Sequence, residues 1–516
     1  MSSGRKHFHS ACAWIAAASL VACSVRTYQP VLHAPDEMPR AHAKSPALKV
    51  HMKSGELYVL ASWQAAPDGS SVTGSGTLYS VERLAGATGH VSIRTDEVAL
   101  FETNTPQGVT PAGAVILSIW ATIAGTVTVA CVADPKSCFG SCPTFYADGD
   151  DPSGRPVAEG FSASIARVLE ARDVDAIGPG PARGGRFGLT MRNEAFETHA
   201  VRRVRLLAAA RAAEGRVLAG SDGLFYPASG PRAPIECRAA EGGCLPAVVL
   251  ADAVERSSPA DPSDLASREL VELDFAPARG RVGLVVAARQ TLLSTHLFYR
   301  TMAFFGSRAG EFLASLERGG TAAATRAMGL ARVLGAIDAE VSEDGENWRA
   351  IGSFDEAGPI AGDVRVLPFE ARGGPLRVRL RQSKGHWRLD QVSLVGLGDP
   401  VLPSVLEPIA VERGPRADAR ALELLRGGER HLVTAPGDEY RIVFDLPSSP
   451  HGLQLFLESE GYYYEWMRQE WLADEDPEMA SLVLTDPAQA LRRMAGPFKK
   501  QEAGMDAVFW SSRFRR

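Results

Sequence analysis

Short runs in which apolar and polar residues alternate, cut by Gly, Pro, Asp and Asn, recur along most of the chain. A period of two marks a half-buried strand, and turn residues at regular spacing favour antiparallel sheets over parallel ones. The runs at 58–63, 74–81, 90–93 and 98–101 predict a small antiparallel sheet within residues 48–104. Those at 187–191, 200–207, 216–219, 269–275 and 281–288 predict a sandwich-like domain over 147–334, with a short helix at about 164–171 and one or two apolar helices over 293–316. A further set at 336–341, 364–369, 376–381 and 387–395 forms a compact β block over 335–398.

Three stretches break this pattern. Residues 114–132 run without a charge for nineteen positions, long enough for a membrane helix. Four Thr or Ser and Gly125 weaken that reading. The expectation is a helix packed in protein or lying on a bilayer, with a true span as the alternative. Asp134-Pro135 ends it. Residues 105–146 thus hold this helix and a cysteine loop. The last part, 399–516, mixes strands with helices: 436–446 reads as a turn and strand, the chain suits a helix from Tyr464 onward, and Pro487 and Pro497 bracket shorter ones. The predicted class is therefore mainly β, multi-domain β-sandwiches with an apolar helix near residue 120 and a small helical C-terminal part. Trp466, Trp471 and Trp510 are expected in its core rather than on a docking face.

The third break lies at the start. Arg5 and Lys6 precede the apolar run 11–22, which ends Leu20-Val-Ala-Cys23. This is similar to a bacterial lipobox, so residues 1–22 are expected to be a lipoprotein signal peptide and Cys23 the lipidated residue. Ser24 after that cysteine implies an outer-membrane address in a cell with two membranes. Residues 23–47, polar and with Pro30, Pro35 and Pro39, are expected to be a tether.

Composition changes the picture little. At 516 residues the chain needs several domains, and 45% apolar residues suffice for sizeable cores. A net charge of −6 argues against nucleic acid as partner. Export makes disulfides the default, and Cys138 with Cys142 and Cys237 with Cys244 are the candidate local bridges. No metal or cofactor is expected, because neither pair has further ligands nearby. The acidic turn at 147–154 lacks the ligand spacing of an EF-hand.

Catalytic signals are sparse. No Gly-x-Ser-x-Gly elbow, phosphate-cradling loop or HExxH is present. Glu194, Glu197 and His199 form the most polar cluster and are weak catalytic candidates; a hydrogen-bonded strand end is the competing reading. His296 is expected to be a satisfied core residue. Trp348 and Trp387 are weak binding candidates, with Trp348 favoured as a core plug.

The phrase Ser342-Glu-Asp-Gly-Glu-Asn-Trp348, followed by the strand Leu376-Arg-Val-Arg-Leu-Arg381, resembles the galactose-binding-like (discoidin-type) β-sandwich over 335–398. That fold hosts sugar, lipid and protein binding as well as silent scaffolds. More widely, Asp134-Pro-Lys-Ser-Cys-Phe-Gly-Ser-Cys-Pro-Thr-Phe-Tyr146, Asn193-Glu-Ala-Phe-Glu-Thr-His199, Gly358-Pro-Ile360, Lys384-Gly-His-Trp-Arg-Leu-Asp390 and Gly461-Tyr-Tyr-Tyr-Glu-Trp466 resemble a group of uncharacterised bacterial exported proteins. The resemblance implies that these segments belong to one assembly and brings no catalytic residue.

The expected role is that of a membrane-anchored envelope lipoprotein with a non-enzymatic scaffold, adhesion or complex-assembly role. Its partners would be the membrane, through the lipid and through 114–132, and other envelope proteins. A carbohydrate- or lipid-binding module is one alternative, and a metal-dependent hydrolase acting through Glu194, Glu197 and His199 is another.

Overall fold

A computed structural model describes residues 24–40, 45, 47–81, 84–111, 142–148, 155–180, 184–355, 358–467 and 469–512. The expected signal peptide, Cys23, the apolar stretch 114–132, Cys138 and most of the acidic turn lie outside these residues. The chain falls into two compact units, 1–137 and 138–516. Among the described residues, no helix is long and apolar enough to cross a membrane.

The first unit is one antiparallel sheet of six strands. In spatial order they are Ser24–His33, Val98–Pro111, Leu48–Met52, Leu57–Ala65, Ser71–Tyr79 and Ala85–Arg94. All four strands expected within 48–104 are present, and the sheet extends beyond both ends of that span. The expected tether is corrected here. Ser24–His33 pairs with Val98–Pro111, and Pro35–Arg40 is a 3-10 turn that lays Met38 on the core of Leu48, Val50, Leu60, Val72 and Phe101. A run of polar residues hides a strand when only its partner, not its own pattern, supplies the burial.

The second unit holds two sandwiches, one nested inside the other. In the first, Arg416–Ala417, Ala410–Arg413, Glu439–Leu446, Gly185–Arg192, Thr144–Ala147 and Ala158–Glu159 form one sheet. Ser404–Leu406, Glu197–Ala210, Leu453–Glu465 and Ala171–Gly180 form the other, with Leu432–Thr434 paired beside Glu197–Ala210. Phe145, Leu189, Ile442 and Phe444 of one sheet meet Val204, Leu206, Leu455 and Leu457 of the other in a single core.

Between Ala210 and Ser404 the chain builds the second sandwich. A closed barrel of Arg216–Gly220, Phe225–Arg232, Trp387–Leu397, Arg279–Gln290 and Asp363–Arg372 packs on a six-stranded sheet that includes Arg268–Phe275, Leu376–Ser383 and Ile337–Ser342. The partition at 334/335 and 398/399 therefore does not follow the sheets. Strands of 147–334 pair with strands of 399–516, and the block 335–398 is half of a sandwich whose other half is drawn from 216–290.

The helices make a third layer. Leu293–Phe305, Ala309–Ala327 and Gly329–Leu334 are inserted into the second sandwich, and Gln469–Ala473, Pro477–Thr485, Pro487–Lys499 and Met505–Ser512 follow the first. Leu293, Leu297, Leu330 and Leu334 share one core with Met479, Val483, Leu491 and Phe498. Asp476 and Asp486 cap their helices through the side chain, accepting from the N–H of Met479 and Gln489. Two local readings change: the strand runs on to Glu465 before any helix begins, and the helix expected at 164–171 is a 3-10 turn, Arg167–Leu169.

Candidate functional site

A β-bulge shapes the approach to the site. Strand Glu197–Ala210 pairs with Leu453–Glu465 in register until the step between Val201 and Arg203. A Cβ on Gly461, opposite Val201, would sit 2.5 Å from the carbonyl oxygen of Ala200 and 2.9 Å from the Phe161 ring. Only glycine permits so close an approach. Past this point Glu197 lies opposite Glu465, and His199 opposite Tyr463. Direct cross-strand neighbours share a face, so one face presents Glu197, His199, Tyr463 and Glu465. The other carries Thr198 and Trp466, joined by a 2.8 Å hydrogen bond from the indole Nε1 to the Thr198 hydroxyl.

This strand end opens on a cavity of about 430 Å³. Its lining includes Glu159, Glu197, Glu465, Cys142 and Tyr463, together with His386 and Trp387. The inserted helices supply an apolar wall that includes Leu297, Phe298, Phe312, Met328 and Leu330. Glu159, Glu197 and Glu465 are all buried. The Glu159 carboxylate accepts from the Cys142 thiol at 3.3 Å and from the Ile360 N–H at 2.8 Å. Tyr463 donates its hydroxyl to the Ser162 carbonyl.

The five segments that carry the wider resemblance meet here. Cys142 comes from the first, Glu197 from the second, Pro359 from the third, His386 and Trp387 from the fourth, and Tyr463 and Glu465 from the fifth. They are far apart in sequence, and the nested topology is what assembles them. Glu159 and Gln290 were not legible as site residues. Neither stands in a patterned motif; each reaches the cavity only through the strand that carries it.

The catalytic candidates divide. His199 Nε2 and Glu197 Oε1 are 2.7 Å apart and wholly buried. Glu194 instead accepts from Thr144 Oγ1 at 2.9 Å and from the Tyr146 hydroxyl at 2.6 Å. No group of three or more His, Cys, Asp or Glu placed to hold a metal occurs among the described residues. Of the tryptophans, Trp387 lines the cavity and is buried. Trp348 is half-buried under the Arg379 guanidinium, 3.6 Å from its ring centre, and is absent from the cavity lining.

Cys237 and Cys244 form a disulfide on a short hairpin of the second sandwich. Cys142 is described, but its expected partner Cys138 is not. His296 is buried against the Phe498 ring, and burial with Arg300 nearby pushes it down to about 4. It is a core residue, yet its Nε2 has no hydrogen bond.

No family model and no curated protein matches the chain. Among solved structures it is similar to the cycloalternan-forming enzyme from Listeria monocytogenes in complex with pentasaccharide substrate, at 11% identity and a TM-score of 0.16, over 69% of this chain and 29% of that one. It is also similar to the secreted serine protease VesC from Vibrio cholerae, at 7% identity and a TM-score of 0.13, over 70% of this chain and 74% of that one. The chain thus spans under a third of the first structure's length. At such scores neither likeness carries an argument about fold or function.

Proposed function

We propose that the chain is an exported, lipid-anchored envelope protein whose second unit binds a small ligand in the cavity of about 430 Å³. The observation that carries the binding reading is convergence: five distant segments, four of them bringing polar side chains, gather at one concave, largely apolar site of ligand size. Packing alone would fill such a space with apolar side chains rather than bury Glu159, Glu197 and Glu465 around it. The anchor rests on the residue types of Leu20-Val-Ala-Cys23. A hydrolase working through Glu194, Glu197 and His199 gains no support, because Glu194 is engaged elsewhere and His199 is locked to Glu197.

Two experiments test the two halves. Ala163 lines the cavity, and Ala163→Phe fills part of it. A thermal-shift screen of sugars, lipids and metabolites is expected to yield compounds that stabilise the wild-type protein and not this variant. A screen in which every hit stabilises both equally would remove the cavity from the account. Metabolic labelling with palmitate is expected to mark the wild-type chain and to be lost in Cys23→Ala.

A further inference from the structure

The cavity and the joint between the two sandwiches share one set of carboxylates. Strand Ala171–Gly180 ends a sheet of the outer sandwich, paired on one side with Leu453–Glu465. On its other side two barrel side chains stand in for a strand. Asp363 accepts from the Ala176 N–H at 3.2 Å, and Arg365 donates to the Val174 carbonyl. Buried edge groups need such partners. Asp363 and Arg365 are themselves ion-paired.

Asp175 lies between those two backbone groups. It is 7% exposed, and its Oδ2 has no hydrogen bond. The charges acting on it are those of Asp173 on its own strand, Glu159, and Asp363 and Arg365 of the barrel. The paired strand adds none on this face. Ser459 and Leu457 lie opposite Asp173 and Asp175, while Glu458 and Glu460 pair with Val174 and Arg172 on the other face. Four carboxylates thus gather around one guanidinium. Out of water they cannot all stay ionised, so a proton is held among them. Burial, then Asp173 and Asp363, raises Asp175 well above its ordinary 3.8; burial, then Asp363, raises Asp173 as well.

The same carboxylates hold one wall of the cavity. Glu159, Ser162, Ala163 and Ile165 line it. In the middle of that segment the Phe161 N–H donates to Asp173 Oδ2 at 2.9 Å. Phe161 has a φ of 40°, a left-handed backbone that a bulky aromatic residue adopts only under constraint. Such a turn is held from outside and relaxes to an ordinary φ once its hold is lost.

We infer that this cluster is a proton-operated latch on the cavity wall. With a proton among the four carboxylates, the barrel stays docked on strand Ala171–Gly180, and Asp173 keeps the turn at 160–163 in its strained form. When that proton passes to water, the added negative charge repels Asp363 from Asp173 and Asp175. The strand shifts, Asp173 leaves Phe161, the turn relaxes and the wall opens. The latch rests on the ligand-binding reading for its use but not for its test: no ligand is needed, so its failure leaves that reading standing.

Hydrogen exchange of the full chain, read by mass spectrometry from about pH 5 to about pH 9 and corrected for intrinsic rates, tests this. Protection over 158–166 and over 172–178 is expected to fall together, by about ten-fold or more, as the pH rises. Asp175→Asn, neutral throughout, is expected to abolish that fall at both places. Asp173→Ala, which removes the acceptor for Phe161, is expected to raise exchange over 158–166 already at the acid end. The barrel strand Arg279–Gln290 is expected to stay protected throughout. A flat profile in the wild-type protein, or the same fall in Asp175→Asn, would overturn the latch. So would an equal loss of protection in Arg279–Gln290, which would mean unfolding of the whole rather than opening at the joint. A fall over 172–178 with 158–166 unmoved, or no effect of Asp173→Ala there, would overturn the link from joint to wall.

Discussion

The two sandwiches of the second unit solve the same packing problem with opposite chain economy. In the outer one, Met191 pairs with Tyr440 and Leu206 with Leu457, so each sheet is closed by chain that arrives after the inner sandwich is complete. In the inner one, Leu284 lies between Leu367 and Leu394, and all its strands fall between Arg216 and Leu397. The difference shows that order along the chain and membership of a core are separate matters. It also explains the cavity, which is lined by both sandwiches and the helices.

The helices fasten the two together, and removing them is the harshest test of that view. The inserted helices bury Leu293, Leu297, Leu330 and Leu334 against Met479, Val483, Leu491 and Phe498. A chain ending at Met467 is expected to lose that whole core face, which amounts to several side chains at about 1.5–3 kcal/mol each. Such a chain should be recovered aggregated or with strong binding of a hydrophobic dye. A soluble, dye-negative product with a sharp unfolding transition would mean that the inserted helices stand without their cover.

Charge is buried in mirror image in the two sandwiches. In the outer one a carboxylate is central: Glu458 accepts from Arg172 at 2.6 Å and from Arg205. In the inner one a guanidinium is central: Arg256 reaches both oxygens of buried Glu269 at 2.7 Å, and Glu241 at 2.8 and 3.0 Å. The flanking arginines of Glu458 are partly exposed, whereas Glu269 is buried with its partner. Arg256→Met strands a buried carboxylate and is expected to cost about 3–5 kcal/mol in urea unfolding. Arg172→Met leaves Glu458 with Arg205 and is expected to cost about 1 kcal/mol or less. Equal losses would refute the contrast.

How much of this was legible follows the same division. The strands of the inner sandwich alternate cleanly, as in Glu269-Leu-Val-Glu-Leu-Asp-Phe275, because one face meets a core and the other water. They were readable one at a time. Their pairing was not, since no local signal says that Leu273 faces Val378. Ser24–His33 was missed altogether, for its sequence is polar and its structure depends on Val98–Pro111. Tyr464 read as the start of a helix, yet strand pairing to Glu197–Ala210 continues through it to Glu465, and tyrosine suits a strand better than a helix. At the site, Glu197 and His199 stood out for their chemistry. His386 and Trp387 were visible as a motif, but only the fold brings them to the same cavity as Glu197.

The inner sandwich also carries the Cys237–Cys244 disulfide, which closes a loop with a sequence separation of 7. So short a loop restricts the unfolded chain less than a long one would. Cys237→Ser with Cys244→Ser is expected to cost about 2–3 kcal/mol, read as a lowered urea midpoint. Both residues are buried in the core that joins barrel and sheet, so the loss should appear in the transition of the inner sandwich. A loss confined to local hydrogen exchange at the hairpin would make the bridge a local clip instead.

The smallest effects are electrostatic, and here the outer sandwich holds two carboxyls with opposite pH behaviour. For Glu170, burial pushes the carboxyl up, but hydrogen bonds from His431 and Arg202 outweigh it and hold it at about 2, below its ordinary 4.5. Its stabilisation is therefore complete above about 4.5 and is lost as the pH falls toward 2. Asp175 is the reverse. Burial first, then the neighbouring charges of Asp173 and Asp363, raise it well above its ordinary 3.8 against the pull of Arg365. The folded state then holds the proton more firmly than the unfolded chain, so stability is greatest below 3.8 and declines as the pH rises past it. Asp175 sits where the two sandwiches touch, for the Ala176 N–H reaches Asp363 of the barrel at 3.2 Å. Glu170→Gln is expected to cost about 1–2 kcal/mol near neutral pH and to flatten the acid limb. Asp175→Asn is expected to raise the urea midpoint near neutral pH and to flatten the alkaline limb. Midpoints that move the same way in both variants near neutral pH would show that the joint between the sandwiches does not store this charge.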